Sequence, residues 1–362
     1  MITTYFYLCI MQIFDDNKAK KTPISNIGEF GLIDELKKNI DISNSQTVKG
    51  IGDDAAVIKL DDKNLQTISK DLLIEGIHFD LSYTPLKHLG YKSVVVSISD
   101  IYSMNAKPEY ILVGIALSNR FTVEAVKEIY EGINLACKKY DIDFIGGDTT
   151  SSTSGLMISV TSIGKVKNKE IVYRSGAKTN DLVVASGDFG AAFLGLQILK
   201  REKQIFIDNP KVQPDLSGHD YILQRQLKPE AALKYIKILH ELKIKPTAMI
   251  DVSDGLSSEI IHMAKNSKVG INIYEEKIPI DHTVMNIASE LNLNPIFCAL
   301  NGGEDYELLF TINQKEYKKI EKDPDFTILG HVTDKSEGIN FVTTDGNSHP
   351  LDAKGWDSYS EK

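Results

Sequence analysis

A chain of 362 residues with 42% hydrophobic and 25% charged residues is long enough for two cores and has the composition of an ordinary globular protein. A formal net charge of −9 without any dense Lys/Arg block argues against a nucleic-acid surface, and an acidic enzyme that handles anions must bring cations of its own. Cys9, Cys137 and Cys298 lack CxxC spacing, so neither a zinc site nor a disulfide framework is expected, and a reducing cytoplasm is the simplest home.

The opening "MITTYFYLCIMQIFDD" is apolar, lacks the basic start of a signal peptide and is too short to span a bilayer. Met11 offers a competing start, which would make residues 1–10 an extension, and no other stretch approaches membrane length. "NIGEFGLIDELKKNI" carries Phe30, Ile33, Leu36 and Ile40 at helical spacing. Two strand-like runs, "AAVIKL" and "LQTISK", follow around the turn "DDKN". A mostly buried helix is expected from Pro85 to before Pro108, then the strand "EYILVGIAL" and the amphipathic helix "TVEAVKEIYEGINLACKKY". "DFIGGDTT" and "LMISVTSIGKV" read as two more strands.

The polar, turn-rich "KNKEIVYRSGAKTND" reads as a hinge. Beyond it "LVVASGDFGAAFLGLQIL" and "TAMIDVSDGLSSEIIHMAKNS" each read as strand, turn, helix. Residues 201–230 carry charges and prolines, and "PEAALKYIKILHEL" reads as a helix. "YELLFTI", "DFTILGHV" and "INFVTT" close the chain with strands. The expected fold is therefore α/β or α+β in two domains. The division expected is an extension at 1–21, a first domain at 22–166 and a second at 167–362.

Six segments place acidic residues beside Gly, Ser or Thr next to apolar runs: "KGIGDDAAVI", "ISKDLL", "SISDIY", "IGGDTTSS", "MIDVSDGLSSEI" and "NGGEDYELLF". One such aspartate is an N-cap or a turn residue. Six, expected at strand or helix ends, point to a site whose carboxylates would repel one another unless divalent cations sat between them. Mg²⁺ suits this pattern, because it binds through one or two carboxylates, waters and substrate phosphates. Other motifs fail. "GIGDDA" matches GxGxxA on paper, but its aspartates would repel a pyrophosphate. "DVSDGLSSE" has glycine fifth and glutamate ninth, not sixth and twelfth as in an EF-hand. There is no P-loop, kinase HRD or DFG set, GxSxG elbow or HExxH. "SGDFGAAFLG" reads equally well as an anion cradle at a helix start or as close packing of that helix on its sheet.

The ordered set "GEFGLI", "GIGDDAAVI", "ISKD…EGIHF", "SISDIYSMNAKP", "IGGDTT", "YRSGAK", "IDVSDGL" and "GGEDYELLF" closely resembles the thiamine-monophosphate kinase family, from about Gly28 to the C-terminus. That family groups with aminoimidazole ribonucleotide synthetase, selenophosphate synthetase and a hydrogenase maturation protein. The resemblance implies a first domain that binds ATP and Mg²⁺ and pairs with its twin in a homodimeric β-barrel, and a second α/β domain. It also implies transfer of the ATP γ-phosphoryl group to thiamine monophosphate, with several Mg²⁺ ions, in a cytoplasmic enzyme without nucleic-acid or membrane partners.

By motif, Asp54, Ser69, Lys70, Asp71, Asp100, Asp148, Asp251 and Asp254 match the metal positions. Gly147, Asp148, Arg174 and Ser253 resemble the ATP-holding residues, and His78, Glu304 and Trp356 those that contact thiamine. No acid/base residue is implied. Lys70 departs from the family, which usually has Thr there; a protonated lysine cannot coordinate Mg²⁺. Either its ammonium replaces one cation's charge, or it turns outward and the metal binds through backbone oxygen. The rival readings are another member of the superfamily and a nucleotide-binding scaffold without turnover.

Overall fold

The computed structural model describes residues 22–353. Trp356, expected to contact thiamine, lies outside them. Residues 22–41 hold a short 3-10 turn, Ile24–Asn26, and helix α1, Gly28–Lys37. Phe30 and Leu36 on the apolar side of α1 stay exposed.

Residues 42–353 build two sheets. The first contains β1 (Thr47–Lys49), β2 (Ala56–Lys59), β3 (Asn64–Ile74), β4 (Lys107–Leu117), β5 (Asp143–Ser151) and β6 (Met157–Lys167), in the order β1-β2-β3-β6-β4-β5. Helices α2 (Leu86–Ser103) and α3 (Val123–Tyr140) belong to this half, and the Thr122 hydroxyl caps α3 by accepting the Ala125 N–H. Its long strands come from alternating Val, Ile and Thr. β3 pairs with β6 over its full length, from Asn64↔Lys167 to Ile74↔Met157.

Period-2 alternation turns Leu65, Thr67, Ser69 and Leu73 of β3 inward and Lys70, Leu72 and Ile74 outward. The outward face stays uncovered in the single chain, leaving Leu72, Ile74, Tyr110 and Met157 exposed.

The second half begins with β7 (Leu182–Ser186), then α4 (Ala191–Asp208), α5 (Asp220–Leu227), α6 (Leu233–Glu241), β8 (Ala248–Asp251), α7 (Leu256–Ser267) and β9 (Gly270–Tyr274). After these come α8 (His282–Glu290), α9 (Pro295–Asn301), β10 (Leu308–Ile312), α10 (Tyr317–Ile320), β11 (Phe326–Thr333), β12 (Ile339–Val342) and β13 (Ser348–Pro350). The sheet order is β13-β12-β9-β11-β7-β10-β8. One apolar core joins the two halves: Ile98 of α2, Val113 of β4 and Val160 of β6 share it with Val184, Met249 and Phe310 of the second sheet. No described helix is long and apolar enough to cross a membrane.

Two expectations need correction. The helix read from Pro229 begins only at Leu233. The Glu230 carboxylate accepts hydrogen bonds from the Tyr91 and Tyr140 hydroxyls, and the Ala231 N–H donates to Tyr140, which holds these residues out of the helix. Nor do the acidic segments all lie at element ends. Ser69, Lys70 and Asp71 sit within β3 and Asp148 within β5, whereas Asp100 lies in the last turn of α2 as expected.

Candidate active site

Three carboxylates from distant parts of the chain meet. One oxygen each from Asp54, Asp100 and Asp251 lie within 4.8 Å of one another. Asp54 comes from the glycine turn before β2, Asp100 from the end of α2 and Asp251 from the end of β8 in the second sheet. Serine hydroxyls hold each in place. Ser103 donates to Asp54 Oδ2 at 2.7 Å, Ser99 donates to Asp251 Oδ2 at 2.6 Å, and Ser69 donates to Asp100. Asp71, on the same side of β3 as Ser69, couples to Asp100 and Asp251 through space, and its Oδ2 is buried without a partner. Among the described residues the cation bonded directly to the trio is Arg174, whose Nε donates to Asp54 Oδ1 at 2.5 Å. Asp53 fixes this arginine's backbone by accepting its N–H at 3.0 Å.

So much negative charge out of water is costly. At an effective dielectric near 20, two unit charges 4.8 Å apart repel by about 3 kcal/mol. The carboxyls respond by holding protons. Burial pushes Asp54 up to about 7, against the pull of Arg174 and with a further push from Asp251 and Asp53. Burial raises Asp71 and Asp251 to about 6 each, with Ser97 and Ser99 respectively opposing. Asp100 rises well above the usual range through burial and its neighbours Asp71, Asp251 and Asp54. The end of α2 adds to this, because a helix C-terminus disfavours negative charge. The donors are all hard oxygens around a surplus of negative charge, and one buried oxygen lacks a partner. This set fits Mg²⁺.

The other candidates lie outside the trio. Asp254 follows in the turn after β8, its N–H donating to Glu259 Oε1 at 2.9 Å. Ser253 stands exposed between Asp251 and Asp254. Asp148 is exposed on edge strand β5, in register with Gly114. Gly147 beside it passes so close to β4 that a Cβ would lie 1.8 Å from the Val113 carbonyl oxygen. Lys70 points to the outer face of the sheet, where its ammonium donates to Ser159 Oγ at 2.6 Å. The sheet therefore separates Lys70 from the trio. Leu72, Ser159, Gly114 and Asp148 form one row across four strands, so Lys70 reaches toward the row that ends in Asp148.

His78 accepts the Ile74 N–H at Nδ1, 3.1 Å away, which assigns the neutral Nε2–H tautomer. Glu304 is shared by Lys92 of α2 at 2.8 Å and by Gln226 of α5 at 2.8 Å.

Sequence reasoning missed several contributors. Ser99 and Ser103 bond two of the three carboxylates, and their signal was present as polar residues in the apolar helix "SVVVSISDIYS". Glu259 is buried, and burial together with Asp254 raises it well above the carboxylate range. The glycine turn "SGDFG" holds no open cradle. The N–H of Gly190, at the start of α4, donates to the chain's own Asp305 carboxylate at 3.1 Å. A Cβ on Gly190 would also lie 3.0 Å from the Ala299 nitrogen, so the turn both binds an internal anion and packs closely.

Residues 52–166 match the family described as AIR synthase related protein, N-terminal domain, and residues 178–342 match its C-terminal domain. The thiamine-monophosphate kinase of Bacillus subtilis (strain 168) is 34% identical over 336 residues, covering 91% of this chain and 99% of that one. That of Buchnera aphidicola subsp. Schizaphis graminum is 36% identical over 320 residues, covering 87% and 94%. The solved structure described as AaThiL complexed with AMPPCP and TMP superposes with a TM-score of 0.78 at 31% identity, covering 94% of this chain and 99% of that one. The chain belongs to the AIR synthase related family and, within it, to the thiamine-monophosphate kinases. The two-domain mixed α/β fold expected from the sequence is that of this family.

Proposed function

We propose that this chain uses the trio Asp54, Asp100 and Asp251 to carry out ATP-dependent phosphorylation of thiamine monophosphate, giving thiamine diphosphate and ADP. The kinase activity follows from the family relatives and from the likeness to a structure holding an ATP analogue and TMP. The observation that carries the site assignment is the meeting of three carboxylates, drawn from both halves of the chain, beside Arg174.

Donor and acceptor are both polyanions, and their approach is opposed by Coulomb repulsion. We assign Asp54, Ser69, Asp71, Asp100, Asp251 and Asp254 as the residues that would hold Mg²⁺, with Asp148 serving a separate position at the sheet edge. Bound there, Mg²⁺ supplies positive charge against the phosphate oxygens of both substrates. Asp54 takes one of the five N–H donors of Arg174, and the rest of the fork suits phosphate. Ser253 and the backbone at Gly147 are assigned to the ATP phosphates. His78, Glu304 and Trp356 are assigned to the thiamine moiety. The acceptor phosphate is largely ionised near pH 7, its second pKa being about 6 as for phosphorylated side chains, so no base is needed. Positioning and electrostatics carry the reaction.

We further assign 22–166 and 167–362 as the two domains and the exposed apolar face of the first sheet as a homodimer interface. Leu72, Ile74, Tyr110 and Met157 support this, because a contiguous apolar sheet face calls for a partner. A cytoplasmic home fits the two buried free cysteines, Cys137 and Cys298. The test is to incubate the purified protein with ATP, thiamine monophosphate and Mg²⁺ and to separate the products. Thiamine diphosphate is expected, falling at least 100-fold in Asp251→Asn. ATP consumption without that product would refute the reading.

A further inference from the structure

Helix α5 lies in the charged stretch 201–230, yet it bonds to two parts of the second half and to α2. Arg225 Nη1 donates to Glu307 Oε1 at 2.7 Å, and Arg225 Nη2 donates to the carbonyl of Asp188 at 3.0 Å and pairs with Asp305 at 3.6 Å. Gln226 donates to Glu304, and its carbonyl accepts from Lys92 at 2.9 Å. Tyr221 donates to Asp188 Oδ2 at 2.6 Å. Three residues of the "GGEDYE" turn, Glu304, Asp305 and Glu307, are therefore bonded to one helix.

That turn is strained. Gly303, Glu304 and Tyr306 hold φ of 72°, 59° and 52°, and two of these residues carry side chains that disfavour the left-handed region. What the strain sustains is a direct contact. The Glu304 N–H donates to the Ser253 carbonyl at 2.7 Å, and the Tyr306 N–H donates to the Val252 carbonyl at 2.8 Å. Gly303 presses so closely that a Cβ there would lie 2.7 Å from Ser253 O and 2.9 Å from Asp254 O. The turn is a backing plate for the segment Val252–Asp254. Its own anchors are Asp305, tied to the Gly190 N–H, and Glu307, tied to Ser186 at 2.6 Å; both ion pairs go to Arg225.

We propose that Arg225 is a positioning residue for phosphoryl transfer: by clamping Asp305 and Glu307 it keeps the left-handed turn pressed against Ser253 and Asp254. The inference rests on the proposed roles of those two residues at ATP and metal. Arg225 touches neither. It acts through a chain of contacts that runs from α5 to Glu307 and Asp305, then to the turn, then to the Ser253 carbonyl. A guanidinium suits this place because its planar fork engages several acceptors at once, which an ammonium cannot match.

A merely structural role makes a different prediction. If Arg225 only neutralised buried carboxylates, replacing it together with one of them would restore everything. The experiment therefore compares full-length wild type, Arg225→Lys and the double variant Arg225→Met/Glu307→Gln. It reads thermal stability, kcat, KM for each substrate, the Mg²⁺ needed for half-maximal rate, and amide hydrogen exchange at residues 252–256 and 304–306 without ligands. Expected are a double variant that melts within a few degrees of wild type, at least tenfold faster exchange across both segments, a kcat lowered at least tenfold and a raised Mg²⁺ requirement. Wild-type exchange in both variants overturns the proposal, as does faster exchange with unchanged kcat and Mg²⁺ requirement. Should Arg225→Lys fail to fold, Ser186→Ala loosens the same Glu307 anchor and is read in the same way. Wild-type protein that makes no thiamine diphosphate would sink the kinase reading instead, and the exchange data would still judge the clamp.

Discussion

Stripping the protein of divalent cations should reverse the usual dependence of stability on pH. Asp54 is raised from 3.8 to about 7 and Asp251 from 3.8 to about 6, in both cases chiefly by burial. Each carboxyl binds its proton more tightly in the folded chain than in the unfolded one. Between the two values the folded state holds more protons, so stability falls as pH rises, fully present below about 4 and lost through pH 6 to 7. A rise from 3.8 to about 6 corresponds to about 3 kcal/mol, and one to about 7 to about 4 kcal/mol. The contributions do not add, because deprotonating one raises the cost at its neighbours. At about 1.4 kcal/mol for each pH unit, the loss between pH 5 and 8 is about 4 kcal/mol, which lowers Tm by roughly 5 °C for a chain of this size. Exposed acids such as Asp61 and Asp215 are held below their usual values and titrate outside this window. The assay is calorimetry in EDTA across pH 5 to 8, repeated with Mg²⁺. At a hundred times its Kd, Mg²⁺ restores about 2.7 kcal/mol per site and should flatten the slope at high pH. A metal-free Tm that climbs from pH 5 to 8, or one indifferent to Mg²⁺ at pH 8, would refute the reasoning.

Three further outcomes can be checked together. Lys70→Thr should raise the number of bound Mg²⁺ by one, read by equilibrium dialysis. The reason is that the ammonium lies on the face bearing the row that ends in Asp148, two strands or about 10 Å beyond Ser159; an unchanged count rules out charge replacement. Glu304→Gln should raise KM for thiamine monophosphate about tenfold while leaving that for ATP near wild type. It should also lower Tm, because the Lys92 side chain, 4% exposed, loses its counter-charge; equal effects on both KM values would count against the assignment. Tyr110→Asp on the open sheet face should convert a dimer to a monomer in analytical ultracentrifugation, and a wild-type mass in that variant would remove the interface from this sheet.

The sequence made the strands and long helices readable where local pattern and tertiary demand agreed. Alternation in "LQTISKDLLI" and the Thr122 cap of α3 are instances. The same alternation, counted residue by residue, already separates Lys70 from Ser69 and Asp71, since a strand flips faces at every step. What it could not show is that Asp148 lies off the trio, because that follows from the pairing of β5 with β4 and not from any property of "IGGDTT". Helix α5 was hidden for another reason. It is eight residues long, follows a proline-bearing stretch, and owes its place to Arg225 and Tyr221 bonding distant carboxylates. The anion bound at the start of α4 proved to be Asp305, some 115 residues away, a contact that no local motif encodes.

The surplus of carboxylate at the site sets stability against function, and Asp100 is where the conflict is sharpest. It is half-buried in the last turn of α2, where the helix end repels it, within 4.8 Å of two other carboxylates, and its proton is held well above the usual range. Asparagine keeps the shape and can still accept from Ser69, while its amide N–H can donate to the oxygens that the carboxylate repelled. Asp100→Asn should therefore stabilise the metal-free protein at pH 8 by about 1–3 kcal/mol, part of the roughly 3 kcal/mol of repulsion per neighbour. It should also abolish the stabilisation that Mg²⁺ confers and cut turnover at least 100-fold, a trade of activity for stability expected where a strained charge cluster exists for a ligand. If Asp100→Asn melted lower than wild type in EDTA at pH 8 while binding Mg²⁺ normally, the cluster would be a structural network whose charges are already balanced. The reason for gathering these residues from both halves of the chain would then have to be sought elsewhere.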